Sequence, residues 1–163
     1  MKHLLQKGVQ VEATSEYFGN TALHIAIKST DNPVFVTNLI EFGADVNSVN
    51  QYKQTPLHIA VMNNKLEAVK ILLPNGANIN TKTRKESQSS LHIASKNGHI
   101  DMVKYLIEKG ASINDVDISG DTPLDFAMKN GHSEVVKHLI LKGAKQGLYA
   151  VEKLWCQTKT SSL

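Results

Sequence analysis

Apolar residues fall along this chain in short runs of helical spacing, separated by polar turns, and the runs come in pairs. Leu57 and Ala60 lie three apart and so share one helix face, while Val69, Leu72 and Leu73 form a stripe of 3.6-residue period. The pattern predicts helix pairs at about Pro56–Asn63 with Leu66–Leu73, Ser90–Asn97 with Ile100–Lys109, and Pro123–Asn130 with Ser133–Leu141. An earlier pair joins about Ala22–Ser29 to a helix carrying Val34, Val36, Leu39 and Ile40. Its turn, Thr30-Asp31-Asn32-Pro33, is one residue longer than the later ones. Met1–Lys7, with Leu4 and Leu5, reads as one more short helix. Leu148–Gln157, with Leu148, Val151, Leu154 and Trp155 on roughly one side, reads as another.

The first helix of each pair opens with the same chemistry. In Gln54-Thr55-Pro56-Leu57-His58-Ile59-Ala60 the Thr55 hydroxyl can accept a free N–H of the first turn, and Pro56 suits the first helical position, where no N–H is needed. Asn20-Thr21-Ala22-Leu23-His24-Ile25-Ala26, Ser89-Ser90-Leu91-His92-Ile93-Ala94 and Asp121-Thr122-Pro123-Leu124-Asp125-Phe126-Ala127 repeat it. Their capping residues stand 34, 34 and 33 residues apart. Each pair also ends alike, at Gly43-Ala44, Gly76-Ala77, Gly110-Ala111 and Gly143-Ala144, where glycine can take the left-handed conformation that stops a helix. Gly8 ends the first short helix in the same way. Asp45-Val46-Asn47, Asn78-Ile79-Asn80 and Ser112-Ile113-Asn114 then follow in phase, and Gly98-His99 and Gly131-His132 make tight turns between paired helices.

These recurring residues resemble the ankyrin repeat, whose period is 33 residues and whose signature is T-P-L-H-x-A. The resemblance runs from Met1 to about Ala144. It implies an all-α solenoid of stacked antiparallel helix pairs joined by β-hairpin-like loops. The divisions it suggests are a half-repeat over 1–12, repeats over about 17–49, 51–82, 85–116 and 118–145, and a capping helix with a polar tail over 146–163. One repeat cannot hide both its apolar faces, so stacking buries them between neighbours. The chain begins within a repeat: either the first helix is absent by design or the sequence is a fragment. Ala22 in place of proline, Ser89-Ser90 in place of Thr-Pro, and Asp125 in place of histidine depart from the pattern. Each is expected to weaken a local helix start without changing the fold, and Asp125 also puts the usual bond between repeats in question. The loop before the third helix pair is polar and one residue longer than in the second and fourth repeats.

The chain of 163 residues is long enough for a core, and its net charge of +3 comes from 18 basic and 15 acidic residues without a like-charged block. That balance argues against nucleic acid or membrane as the partner. The lone Cys156 cannot form an internal disulfide and there is no Asn-X-Ser/Thr sequon, both of which fit an intracellular site, cytoplasmic or nuclear. The N-terminus lacks a secretory apolar stretch, and no apolar run approaches a membrane span. A monomer is expected.

Seven histidines raise the question of a metal or a catalytic base. His24, His58 and His92 occupy equivalent positions where the family's imidazole ties a helix start to loop backbone. Packed helices lie about 10 Å apart, too far for one zinc ion, whose ligands sit near 2 Å. His99 and His132 read as turn residues, and His3 and His138 as surface. No nucleophile elbow, P-loop, dinucleotide-binding glycine motif or cysteine pair is present, so no cofactor, metal or catalytic activity is expected. Cys156 reads as a small apolar residue, and Lys82, Arg84 and Lys85, offset by Glu86, as a solvated loop.

In the ankyrin family partners dock on the concave side, on loop tips and first-helix ends. Carried onto this sequence, the tip residues are Tyr17, Phe18 and Asn20; Gln51, Tyr52 and Gln54; Lys85; and Ile118 and Asp121. The helix-end residues are Lys28, Met62, Asn63, Lys96 and Lys129. Tyr17, Phe18, Tyr52 and Met62 are expected to cluster in the N-terminal half as exposed anchors. The more charged C-terminal half is expected to steer or set specificity. The resulting reading is a non-enzymatic module that binds a protein partner. A transcription-factor inhibitor or decoy like the IκB group, and a piece of a larger scaffold or latrotoxin-like toxin, are the alternatives. Asn47, Asn80 and Asn114 sit where some ankyrin proteins are hydroxylated.

Overall fold

The computed structural model describes residues 12–147. The expected helices Met1–Lys7 and Leu148–Gln157, the Gly8 stop, the polar tail, His3 and Cys156 lie outside them. Eight helices and no strand occur among the described residues: α1 (Ala22–Ser29), α2 (Pro33–Glu41), α3 (Pro56–Met62), α4 (Leu66–Leu72), α5 (Ser90–Lys96), α6 (Ile100–Glu108), α7 (Pro123–Lys129) and α8 (Ser133–Leu141). Several end one residue before the sequence-based estimate, because Asn63, Asn97 and Asn130 are helix caps rather than last turns. α1 and α5 begin on schedule at Ala22 and Ser90, without the first-position proline.

The chain divides into two compact units, residues 1–78 and 79–163. In the first, α1 packs on α2 and α3, α2 on α4, and α3 on α4. Its core holds Leu23, Ile27, Leu57, Val61, Val69 and Leu72, each essentially removed from solvent. In the second, α5 packs on α6 and α7, α6 on α8, and α7 on α8, around Leu91, Met102, Leu106, Leu124 and Leu139. The signature leucines Leu23, Leu57, Leu91 and Leu124 therefore share one setting. Full burial of each stabilises by roughly 1.5–3 kcal/mol.

The helix pairs end as the sequence requires. Gly43 takes φ 90°, its N–H bonds to the Ile40 carbonyl at 2.9 Å, and the Ala44 N–H bonds to Leu39 at 3.0 Å, a Schellman stop. Asparagines then tie each repeat to the next. The Asn47 amide accepts from Asn78 N–H at 2.8 Å and donates to the Gly76 carbonyl at 2.9 Å. Asn80 accepts from Ser112 N–H at 2.9 Å and Asn114 from Lys145 N–H at 2.7 Å.

The hairpin-like loops come in two lengths with two anchors. Asn50 and Asp117 close five-residue loops; each Oδ1 accepts two backbone N–H groups, from Tyr52 and Gln54 or from Ser119 and Asp121. Ser15 and Thr83 close six-residue loops through a hydroxyl that accepts one, from Asn20 or Gln88. Adjacent tips within each unit join by a single backbone bond of 3.0 Å, Gln51 N–H to Phe18 and Ile118 N–H to Glu86. The loops thus project as paired fingers rather than a sheet.

Candidate partner-binding surface

The first helices are fixed to these fingers through buried imidazoles. The His24 Nε2–H donates to the Gln54 carbonyl at 2.9 Å, so Nδ1 carries the lone pair and accepts from the Thr21 hydroxyl at 2.9 Å and the Thr21 N–H at 3.3 Å. His92 repeats the arrangement between Ser89 and the Asp121 carbonyl, the latter at 3.2 Å. Burial pushes both imidazoles below their ordinary pKa, against a smaller opposing effect of the carbonyl bond. Both histidines therefore work as neutral struts. At the equivalent Asp125 the polarity reverses: Oδ2 accepts from the Thr122 N–H and hydroxyl, at 2.8 and 2.7 Å, and from the Gly147 N–H at 2.8 Å. The junction that the histidine loss put in question is held by a backbone donor instead of a backbone acceptor.

His132 reaches the Lys96 carbonyl at 2.9 Å through Nε2–H, holding a turn to a helix end. His138, expected on the surface, is half-buried with its Nε2 covered; burial, then Lys142 and Lys104, lowers its pKa. Among the described residues no group of three His, Cys, Asp or Glu side chains could hold a metal ion. Among them, too, no helix is long and apolar enough to cross a membrane.

In the first unit, the fingers and the ends of α1 and α3 enclose a groove of about 530 Å³. Phe18 and Tyr52 meet on its rim with ring centroids 6.3 Å apart, each about half exposed. Met62 lines it from the end of α3, and Lys28 and Asn63 from the helix ends. Asn20 and Gln54 line it as well, but their side chains also serve the loop: Asn50 donates to the Asn20 Oδ1 and the Gln54 Oε1, both at 3.0 Å. Seven of the residues expected to meet a partner are thus brought together. Tyr17, 83% exposed, and Gln51 stand outside the lining.

Ile25 and Ile59 complete the wall and were missed by the sequence reading, although both stand four residues after a capping threonine. Asn50, the buried hub of the loop, was missed too; its spacing to Thr55 equals that of Asp117 to Thr122.

The second unit treats the equivalent positions differently. Ile118 is an exposed tip and Lys85 an exposed loop residue, as expected. Asp121, expected as an exposed tip, is instead 7% exposed. Its carbonyl accepts from His92, its N–H donates to Asp117, and its carboxylate pairs with Lys129. Lys96 places its ammonium 5.9 Å from the Phe126 ring centroid, and that ring meets His92 edge-on at 5.8 Å. Lys96 and Lys129 thus have partners within their own unit.

Comparison with known proteins points one way. A family model described as ankyrin repeats (3 copies) matches residues 1–83, and one described as ankyrin repeats (many copies) matches 60–107 and 91–140. A fowlpox virus protein named for its ankyrin repeats is 39% identical over 84 residues, 51% of this chain and 24% of its own length. The nuclear factor NF-kappa-B p105 subunit of Gallus gallus is 36% identical over 78 residues, 48% of this chain and 8% of its own. The B-cell lymphoma 3 protein homolog of Mus musculus is 43% identical over 67 residues, 40% of this chain and 15% of its own. The chain thus spans under a quarter of the length of each of these relatives.

Proposed function

Because the chain belongs to the ankyrin repeat family, whose repeats are protein-interaction modules and whose all-α helix pairs it has, we propose that it is a non-enzymatic binder of a protein partner. The partner seats on the groove of the first unit. One observation carries the reading: Phe18, Ile25, Tyr52 and Met62, each about two-fifths to half exposed, line a single groove on hydrogen-bonded loops and helices. Large side chains held ready at low entropy cost are the usual anchors of an interface. Tyr17 and Gln51, on the same loop tips but outside the lining, and Lys85, Lys96, Ile118 and Lys129 of the second unit are not needed for this seat.

Affinity capture with the whole chain, compared with a Phe18→Ala/Tyr52→Ala variant, tests this. Truncating an interface anchor costs about 2–4 kcal/mol, so the captured protein is expected to be lost while the melting curve is kept, because both rings are half in solvent. Equal capture by both chains rejects the groove.

A narrower reading makes the chain an inhibitor or decoy of a transcription factor. The likeness to the p105 subunit of nuclear factor NF-kappa-B favours it. Titration against purified NF-kappa-B subunits tests it, and no binding at micromolar concentration rejects it.

A further inference from the structure

We infer that the segment held in the first unit's groove is a short peptide with a carboxylate side chain beside an apolar anchor, and that Lys28 reads the carboxylate. The inference rests on the binding role proposed above and adds the chemistry of the partner.

The groove's charge is one-sided. Of the residues that line it, Lys28 is the one Lys, Arg, Asp or Glu, and His24 is the neutral strut described above. Lys28 makes no ion pair, hydrogen bond or ring contact among the described residues. The lysines at the same place in the second unit, seven residues after the capping residue, are engaged: Lys96 over Phe126 and Lys129 with Asp121. Nor are the nearby acids poised for Lys28. Glu12 accepts from the Asp45 N–H, and Asp31 is paired with Lys65. Glu16 is exposed and outside the lining.

The rest of the groove is built for an apolar side chain. Phe18, Tyr52, Ile25 and Met62 supply the walls, and about 530 Å³ is within the range of small-ligand clefts, room for a short run of peptide. The one cation a carboxylate can pair with in the lining is Lys28, on the helix-end wall. Aromatic rings beside a lysine could also stack nucleobases, but a nucleic acid brings a phosphate at every step, and one cation neutralises one of them. A peptide with one acid per anchor fits the charge.

The test is selection of a twelve-residue peptide display library on the immobilised whole chain, its Phe18→Ala/Tyr52→Ala variant and its Lys28→Glu variant. The wild type is expected to enrich peptides with Asp or Glu next to Phe, Trp, Leu or Met, and the double variant to lose them. The Lys28→Glu chain should keep the apolar preference and exchange the acid for Lys or Arg. For the best peptide, changing the acid to its amide should weaken binding by about 1.5- to fivefold, the range of an exposed ion pair, and by nothing further in Lys28→Ala. Enrichment that depends on Phe18 and Tyr52 but shows no acid, or no response to Lys28→Glu, overturns the inference and leaves the groove as the binding site. Enrichment untouched by the double substitution overturns the groove as well. Displacement of the peptide by a twelve-nucleotide oligouridine at equal concentration assigns the groove to nucleic acid and overturns both.

Discussion

The two units of this chain are built on one plan and carry different side chains at its equivalent positions. Three residues before the capping residue, the first unit carries Phe18 and Tyr52, and the second carries Glu86 and Ser119. Seven residues after it, the first carries Lys28 and Met62, and the second Lys96 and Lys129. Backbone caps, stops and tip-to-tip bonds hardly differ. In the second unit the lysines pair with Phe126 and Asp121, whereas in the first Phe18 and Tyr52 pair with each other and Lys28 lines the groove with no such contact among the described residues. The repeat therefore fixes where a side chain stands. What stands four residues after the cap, or at the neighbouring tip, decides whether it is left for a partner.

If the difference is confined to the surface, the cores should respond alike. Leu57→Ala and Leu91→Ala each remove a fully buried leucine and are expected to cost about 2–5 kcal/mol, measured by urea unfolding. A loss below about 1 kcal/mol in either would show that the two units are not supported in the same way.

Acid should also act on both, to a smaller extent. The folded-state pKa of His24 and of His92 lies below the ordinary value. The unfolded chain, titrating near about 6.5, therefore binds more protons in the window beneath that value. Stability contributed by the neutral struts is complete above it and is lost as pH falls toward the folded values. Urea midpoints measured from pH 7.5 down to 5.5 should decline, and the decline should shrink in His24→Asn and His92→Asn. Equal slopes in the wild type and both variants would remove the histidines from the account.

The smallest effect separates loops rather than units. Two residues before each cap the backbone is left-handed, with glycine at Gly19 and Gly120 but Lys53 at φ 59° and Ser87 at φ 55°. A side chain in that conformation costs about 1–2 kcal/mol, partly offset by the greater freedom glycine loses on folding. Lys53→Gly and Ser87→Gly are each expected to stabilise by about 0.5–1 kcal/mol in thermal melts. Destabilisation by both would mean that their side chains hold the fingers together.

Most of the scaffold was legible because its signals are local. Thr55 with Pro56, the Gly-Ala stops and the apolar stripes each lie within a few residues, so the helix pairs could be placed to within about one residue at each end. The aromatic tips were legible for the same reason, since loop position alone exposes them. Asp121 was not. It sits on a tip by sequence, but His92 of α5, Lys129 of α7 and Asp117 of its own loop converge on it. The contrast between Lys28 and Lys96 was equally hidden, because Lys96 depends on Phe126, a residue thirty positions away in the fold's next repeat. Asp125 looked like a lost bond because the replacement donor, the Gly147 N–H, has no side chain to announce it.

The most direct measurement is amide hydrogen exchange of the whole chain with and without a bound partner, whether a captured protein or a selected peptide. The account predicts slowed exchange in residues 17–29 and 51–63, with little change in 85–97 and 118–130. Protection concentrated in the second unit's fingers and helix ends, with the first unit unchanged, would contradict it.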